Sequence, residues 1–341
     1  MAAKQKKTLI ILVAVLAVLA AAFAAVRLIN ASAERRNAKE AEEAVIHMGD
    51  TLGEITELTF GRPGEENRFV LINGLWKLAS DEEFPLDSTK VAVVASTLRR
   101  LTAVRDIGME NALADYGLEP PQYTVFAVDA GGKEYALDLG NTYTIGGEQL
   151  CYAMEQGGST IYSIKTGLST YVSASLMSMI AKDDFTGLNE ERVTDVTVSG
   201  GDKTLILTKT SAPDLSTGKT AYTWYVDGMP ASEYVSAGGE KASVYVPKLV
   251  DNLTSFYFSS CAAYRPSQDE MKAFGLADPV TAAFGLEDED TGETSSVTLL
   301  IGAPAPDDSG YYAKLPDSDQ VCIISSACAE AVLTALEALG Q

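Results

Sequence analysis

The chain has 341 residues, enough for about two domains of roughly 150 residues each, and a hydrophobic share of 46% is sufficient for packed cores. It carries 47 acidic against 26 basic residues, a formal net charge of −21; a body of that sign repels phosphate backbones and anionic headgroups, which excludes nucleic acid as a partner. A single histidine, His47, excludes a Cys/His metal site and leaves nucleophilic catalysis by a Ser-His or Cys-His pair without its base.

Residues 1–7, with Lys4, Lys6 and Lys7, read as a cytoplasmic tail. Residues 8–26 are uncharged and mostly apolar. As a helix they span about 29 Å, close to the hydrocarbon thickness of a bilayer. A transmembrane helix is therefore expected over residues 8–29, and the lysines ahead of it hold the start inside while the rest crosses. Beyond Arg27 the chain carries 22 basic and 47 acidic residues, a charge of −25 on the exported side. The rival reading is a cleaved signal peptide with Ala22-Phe23-Ala24 as its cleavage site, but the apolar run exceeds the roughly 7–15-residue signal core. No cysteine lies near the end of the run, which excludes a lipid-anchored lipoprotein. Both readings put the body outside the cytoplasm.

Residues 30–48 are expected to form a helical stalk, since 31–45 is rich in Ala, Glu, Lys and Arg and lacks the apolar heptads of a coiled coil. His47 falls in this stalk as a solvated residue.

The remainder reads as two copies of one unit, over residues 49–181 and 193–341, joined by a spacer at 182–192. Leu101-Thr102 matches Leu253-Thr254, and Tyr116-Gly117-Leu118 matches Phe274-Gly275-Leu276. Leu139-Gly140 matches Ile301-Gly302, Tyr152-Ala153 matches Tyr312-Ala313, and Trp76 matches Trp224; the offsets stay between 148 and 162 residues. In the first copy strands are expected at 55–60, 68–72 and 76–79, with Asn73-Gly74 as a hairpin turn. A helix follows at 88–101, then a strand, the Tyr-Gly-Leu turn, strands at 124–129, 134–139, 149–154 and 160–164, and a helix at 167–180. In the second copy the strands fall at 193–198, 204–208, 222–226, 281–286, 296–301, 311–315 and 320–324, with helices at 247–253 and 327–339. The fold class is α+β: two tandem, mainly antiparallel β-sheet units with covering helices, preceded by one transmembrane helix.

No motif in the body carries chemistry. Gly218-Lys219-Thr220 ends like a phosphate-binding loop, but the position five places before Gly218 is Pro213 and the stretch joins two strands. Ser216-Thr217-Gly218-Lys219 and Lys165-Thr166-Gly167 match penicillin-recognising motifs in the wrong order. The acidic run from Glu287 to Glu293 lacks the calcium-loop spacing and reads as a solvated hairpin tip. The 15 tyrosines fit half-buried strand positions, with a carbohydrate-stacking platform as the alternative in an extracytoplasmic setting. Cys151, Cys261, Cys322 and Cys328 form no CxxC pair; outside the cell they admit a disulfide of open pairing or stay as buried thiols.

The chain resembles the domain-of-unknown-function family 4340. The residues that carry the resemblance are Gly74-Leu75-Trp76, Pro85-Leu86-Asp87, the turn from Tyr116 to Pro121, the strand end Leu137 to Gly140 and the strand Tyr311 to Leu315, behind a lysine-led membrane helix. The first copy departs from the pattern, with Cys151-Tyr152-Ala153-Met154 in place of Tyr-Tyr-Ala-Lys-Leu. The resemblance implies no activity and no catalytic residue; that members are encoded beside ABC-type transport components implies an accessory role at a transporter.

The expected function is accordingly a non-enzymatic, membrane-anchored extracytoplasmic protein, an accessory or scaffold of an envelope complex of the ABC transport type. Its partners are the membrane through residues 8–29 and the transporter complex; no catalytic, cofactor-binding or metal residue is assigned. The alternatives are an extracellular binding module for glycan or peptide, and a hydrolase working with carboxylates alone, since paired Asp/Glu chemistry needs no histidine.

Overall fold

A computed structural model describes residues 46–48, 52–183, 188–214, 219–288 and 291–341. The tail at 1–7, the apolar segment at 8–29 and the stalk up to residue 45 lie outside the described residues, among which no helix is long and apolar enough to cross a membrane.

The first sheet is built from β1 (Ile46–His47), β2 (Ile55–Gly61), β3 (Asn67–Ile72), β4 (Leu75–Leu78), β5 (Thr102–Gly108), β6 (Tyr123–Asp129), β7 (Glu134–Ile145), β8 (Glu148–Glu155) and β9 (Ile161–Lys165). Their order across the sheet is β1-β5-β9-β8-β7-β6-β2-β3-β4. Helix α1 (Ser88–Arg99) leads into β5, and α2 (Gly167–Val172) follows β9. Apolar residues at helical spacing on α1, Val91, Val94, Ala95 and Leu98, are buried. Alternation does the same for the strands: Val125 and Ala127 of β6 and Leu137 and Leu139 of β7 are fully buried, while Phe60 and Phe69 stack at 4.9 Å across β2 and β3.

The second sheet contains β10 (Val193–Gly200), β11 (Lys203–Asp214), β12 (Lys219–Val226), β13 (Met229–Pro230), β14 (Ser260–Tyr264), β15 (Val280–Glu287), β16 (Thr294–Pro304), β17 (Tyr311–Lys314) and β18 (Gln320–Ile324). Its helices are α3 (Val246–Ser255), α4 (Gln268–Ala273) and α5 (Ser326–Leu339); α5 packs on α3 and on β10 and β11. Read from β14, the order is β14-β18-β17-β16-β15-β10-β11-β12-β13, the first sheet's order from β5 to β4 with β13 added. The duplication is thus a repeat of topology and register. Leu139 pairs with Tyr123 and Ala153, as Ile301 pairs with Val280 and Ala313, and each ladder then breaks in a bulge, before Thr142 and before Pro304.

The turn that marks the repeat has the same physics in both copies. Leu118 N–H donates to the Leu113 carbonyl and Gly117 N–H to that of Ala114; Leu276 and Gly275 donate likewise to Met271 and Lys272. This is a Schellman closure, which needs a left-handed residue; Gly117 has φ +69° and Gly275 φ +70°. A side chain on Gly140 or on Gly302 would run into the Tyr116 or the Phe274 carbonyl oxygen, so each glycine is the seat on which the turn rests.

Two expectations are corrected. Ile46 and His47, placed in the helical stalk, form a strand paired with Ala103 and Thr102, and Met48 is buried, so the sheet takes the end of the stretch. The helix expected over 167–180 ends at Val172. Hydroxyls of Ser169, Thr170 and Ser173 bond back to backbone carbonyls in this β-branched, serine-rich run. Ser175 then caps a separate 3-10 turn, Leu176–Met179. Among the described residues, Trp76–Ser88 clusters with the chain from Ala174 onward, and Thr89–Ser173 with the strands before Trp76. Contacts explain the transfer of residues 76–88. Arg265 pairs with Asp81 (3.2 Å) and Glu83 (2.7 Å), Phe84 meets Tyr264 edge-on at 5.2 Å, and Ala181 N–H donates to the Pro85 carbonyl at 2.8 Å. Helix α4 is not among the expected elements: none of its residues is buried, although Ser267 and Glu270 form a capping box at its start.

Candidate functional site: an uncharged groove on the first unit

The bulge in β7 shapes a groove of about 350 Å³ on the first unit. Gln122 and Tyr123 reach it from the start of β6, Gly140, Asn141 and Thr142 from the bulge, and Gln149 from β8. Thr166, Ser169, Thr170 and Ser173 close it from α2 and its ends. No charged side chain lines it. The α2 hydroxyls donate to backbone carbonyls of their own turn, Ser169 and Thr170 to Thr166 O and Ser173 to Thr170 O, each at 2.9 Å; Ser169 is buried beside the Cys151 thiol, while Thr170 and Ser173 are exposed. Among the described residues, nothing accepts from or donates to the side chains of Gln122, Asn141, Thr142 and Gln149. The Arg62 guanidinium lies 5.8 Å from the Tyr123 ring centre.

Equivalent positions in the second unit follow from the shared register. There Pro279 and Val280 stand for Gln122 and Tyr123, Ala303 and Pro304 for Asn141 and Thr142. On the closing helix Ala329 and Leu333 stand for Ser169 and Ser173. Ser309, Ser326 and Glu330 stand for Gln149, Thr166 and Thr170, so the second copy keeps polar residues at three of these positions and lacks the three carboxamides.

A second cleft, about 470 Å³, lies on the second unit and brings Asp183 and Asp317 together with Leu315, Pro316 and the hydroxyls of Ser296, Thr298 and Ser318.

The motifs weighed in the sequence do not meet at either place. His47 sits on β1. Residues 215–218 lie outside the described residues; Lys219 opens β12, so that stretch joins strand to strand. Lys165 ends β9 and pairs with Glu148 at 3.4 Å, while Thr166 alone of its motif faces the groove. In the acidic run, Asp288 accepts from Thr291 N–H at 3.0 Å and faces Arg192 at 3.5 Å across the base of the β15–β16 hairpin. No group of three or more His, Cys, Asp or Glu placed to hold a metal occurs among the described residues.

The thiols and phenols are held in unreactive states. Cys261 and Cys322, opposite each other on β14 and β18, are disulfide-bonded. Burial pushes the Cys151 thiol up to about 11 and the Cys328 thiol up to about 12, so neither is a nucleophile near neutrality. Tyr152 stacks on Tyr143 at 4.5 Å and meets Tyr116 edge-on at 5.0 Å, and burial raises its phenol. These rings face one another and form no open platform.

A family model described as a domain of unknown function (DUF4340) matches the chain over residues 76–237 and 242–339. None of the curated proteins matches it.

Proposed function

The chain belongs to the family of the domain of unknown function DUF4340, and from that premise we propose that it is a non-enzymatic, membrane-anchored extracytoplasmic protein, an accessory or scaffold of an envelope complex of the ABC transport type. The Cys261–Cys322 disulfide carries this reading, since such bonds form and persist in oxidising compartments outside the cytoplasm. The uncharged segment at 8–26 behind three lysines supplies the anchor and the direction of crossing. Thiols pushed far above neutrality argue against nucleophilic chemistry. Affinity purification of the full chain from gently solubilised membranes tests the role. The expected result is a stoichiometric complex with transport components; repeated recovery of the chain alone contradicts it.

A second reading, a binding module for an extracellular glycan or peptide, is favoured by the groove on the first unit, whose unpaired amides are available to a ligand. The carboxylate-only hydrolase has no support beyond the shared cleft of Asp183 and Asp317.

A further inference from the structure

We propose that the groove at the β7 bulge binds a short segment of a neutral glycan, a site carried by the first unit alone. The proposal rests on the binding-module reading and gives it a ligand class and residues.

Its volume, about 350 Å³, is at the small end of ligand pockets, suited to a few sugar rings rather than a large cofactor. Its chemistry fits sugar hydroxyls, each of which both donates and accepts. Carboxamides do the same through separate atoms, and Gln122, Asn141 and Gln149 present three of them. The exposed α2 hydroxyls of Thr170 and Ser173, already donating to the backbone, offer acceptors. Tyr123 adds an aromatic ring at one end, the usual partner of an apolar sugar face, with the Arg62 guanidinium over one face of the ring at 5.8 Å and the other face left for a ligand. With no cation in the lining and an acidic body around it, the groove disfavours uronic, sialylated or phosphorylated glycans.

A peptide is the poorer fit. Peptides dock by adding a strand to a sheet edge or by seating side chains in apolar pockets. The groove opens at β7 and β8, both interior to their sheet, and its wall is mainly amide and hydroxyl.

The second unit is the internal control. Ala303, Pro304, Ala329 and Leu333 occupy the positions of Asn141, Thr142, Ser169 and Ser173 on the same scaffold. Pro279, Ala303 and Ser309 take the places of Gln122, Asn141 and Gln149, so the scaffold does not require the three carboxamides.

The test is binding of the detergent-solubilised full chain to immobilised neutral oligosaccharides of glucose, galactose and N-acetylglucosamine, with sialylated glycans and a random peptide library in parallel. Neutral glycans are expected to bind. Asn141→Ala and Gln149→Ala are each expected to weaken binding roughly tenfold, the effect of one lost hydrogen bond to a ligand. Asn252→Ala, on α3 of the second unit, is expected to leave binding unchanged. Capture of peptides alone overturns the glycan proposal and leaves the binding-module reading standing. Capture of neither overturns both. Glycan binding unaffected by Asn141→Ala and Gln149→Ala, in variants with an unchanged melting temperature, places the ligand elsewhere and overturns the assignment of this groove.

Discussion

Asp129 shows how a polar residue earns a core position. Its carboxylate accepts from the backbone N–H groups of Gly53, Lys133 and Gly131, each at 2.9 Å, and is 8% exposed. These bonds, with Gly53 the largest and Lys133 next, hold its pKa below the usual carboxylate value. A carboxyl more acidic in the folded than in the unfolded chain stabilises the fold above the unfolded pKa of about 3.9, and that contribution is lost as pH falls through the folded value. Thermal unfolding followed from about pH 6 to about pH 3 is expected to show a smaller loss of stability in Asp129→Asn than in the parent chain. The equivalent residue of the second unit is the buried Leu286, opposite Val193 as Asp129 is opposite Ile55, so the effect belongs to the first unit.

At the scale of elements, the turn seated on a strand glycine is the most legible part of the fold. An aromatic, a Gly and a Leu recur because the Schellman closure needs positive φ and because a bare Cα must lie against the turn carbonyl. Gly140→Ala and Gly302→Ala are each expected to cost roughly 1–3 kcal/mol in denaturant unfolding, since backbone must move to admit the methyl group. Gly167→Ala, with open space and ordinary φ at the start of α2, is the control and is expected to be neutral or mildly stabilising. Strand alternation placed β18 at 320–324, and the Ala- and Leu-rich run placed α5 to within a residue at its start. The helix at 167–180 failed because helical periodicity counts apolar spacing and does not count hydroxyls that bond to carbonyls. The groove was illegible for a related reason: Gln122, Asn141, Thr142 and Gln149 come from three strands, and no spacing rule connects them. Comparing the two copies position by position was the signal available, because Asn141-Thr142 against Ala303-Pro304 is a change in chemistry on a fixed scaffold.

At the scale of the whole molecule, an acidic body of duplicated antiparallel sheets is coupled to a lysine-led apolar segment. On the proposed reading, charge, the disulfide and the apolar run would all place the body outside the cytoplasm. The disulfide links β14 to its neighbour β18 over a separation of 61 residues, with both cysteines buried. Protease treatment of intact cells, with the fragments traced by an antibody to the carboxy-terminal helix α5, tests the export of the body most directly. The expected result is digestion of residues 52–341 before any lysis, while a cytoplasmic marker stays whole. A body that remains intact until the cells are broken, and is then digested, contradicts the account.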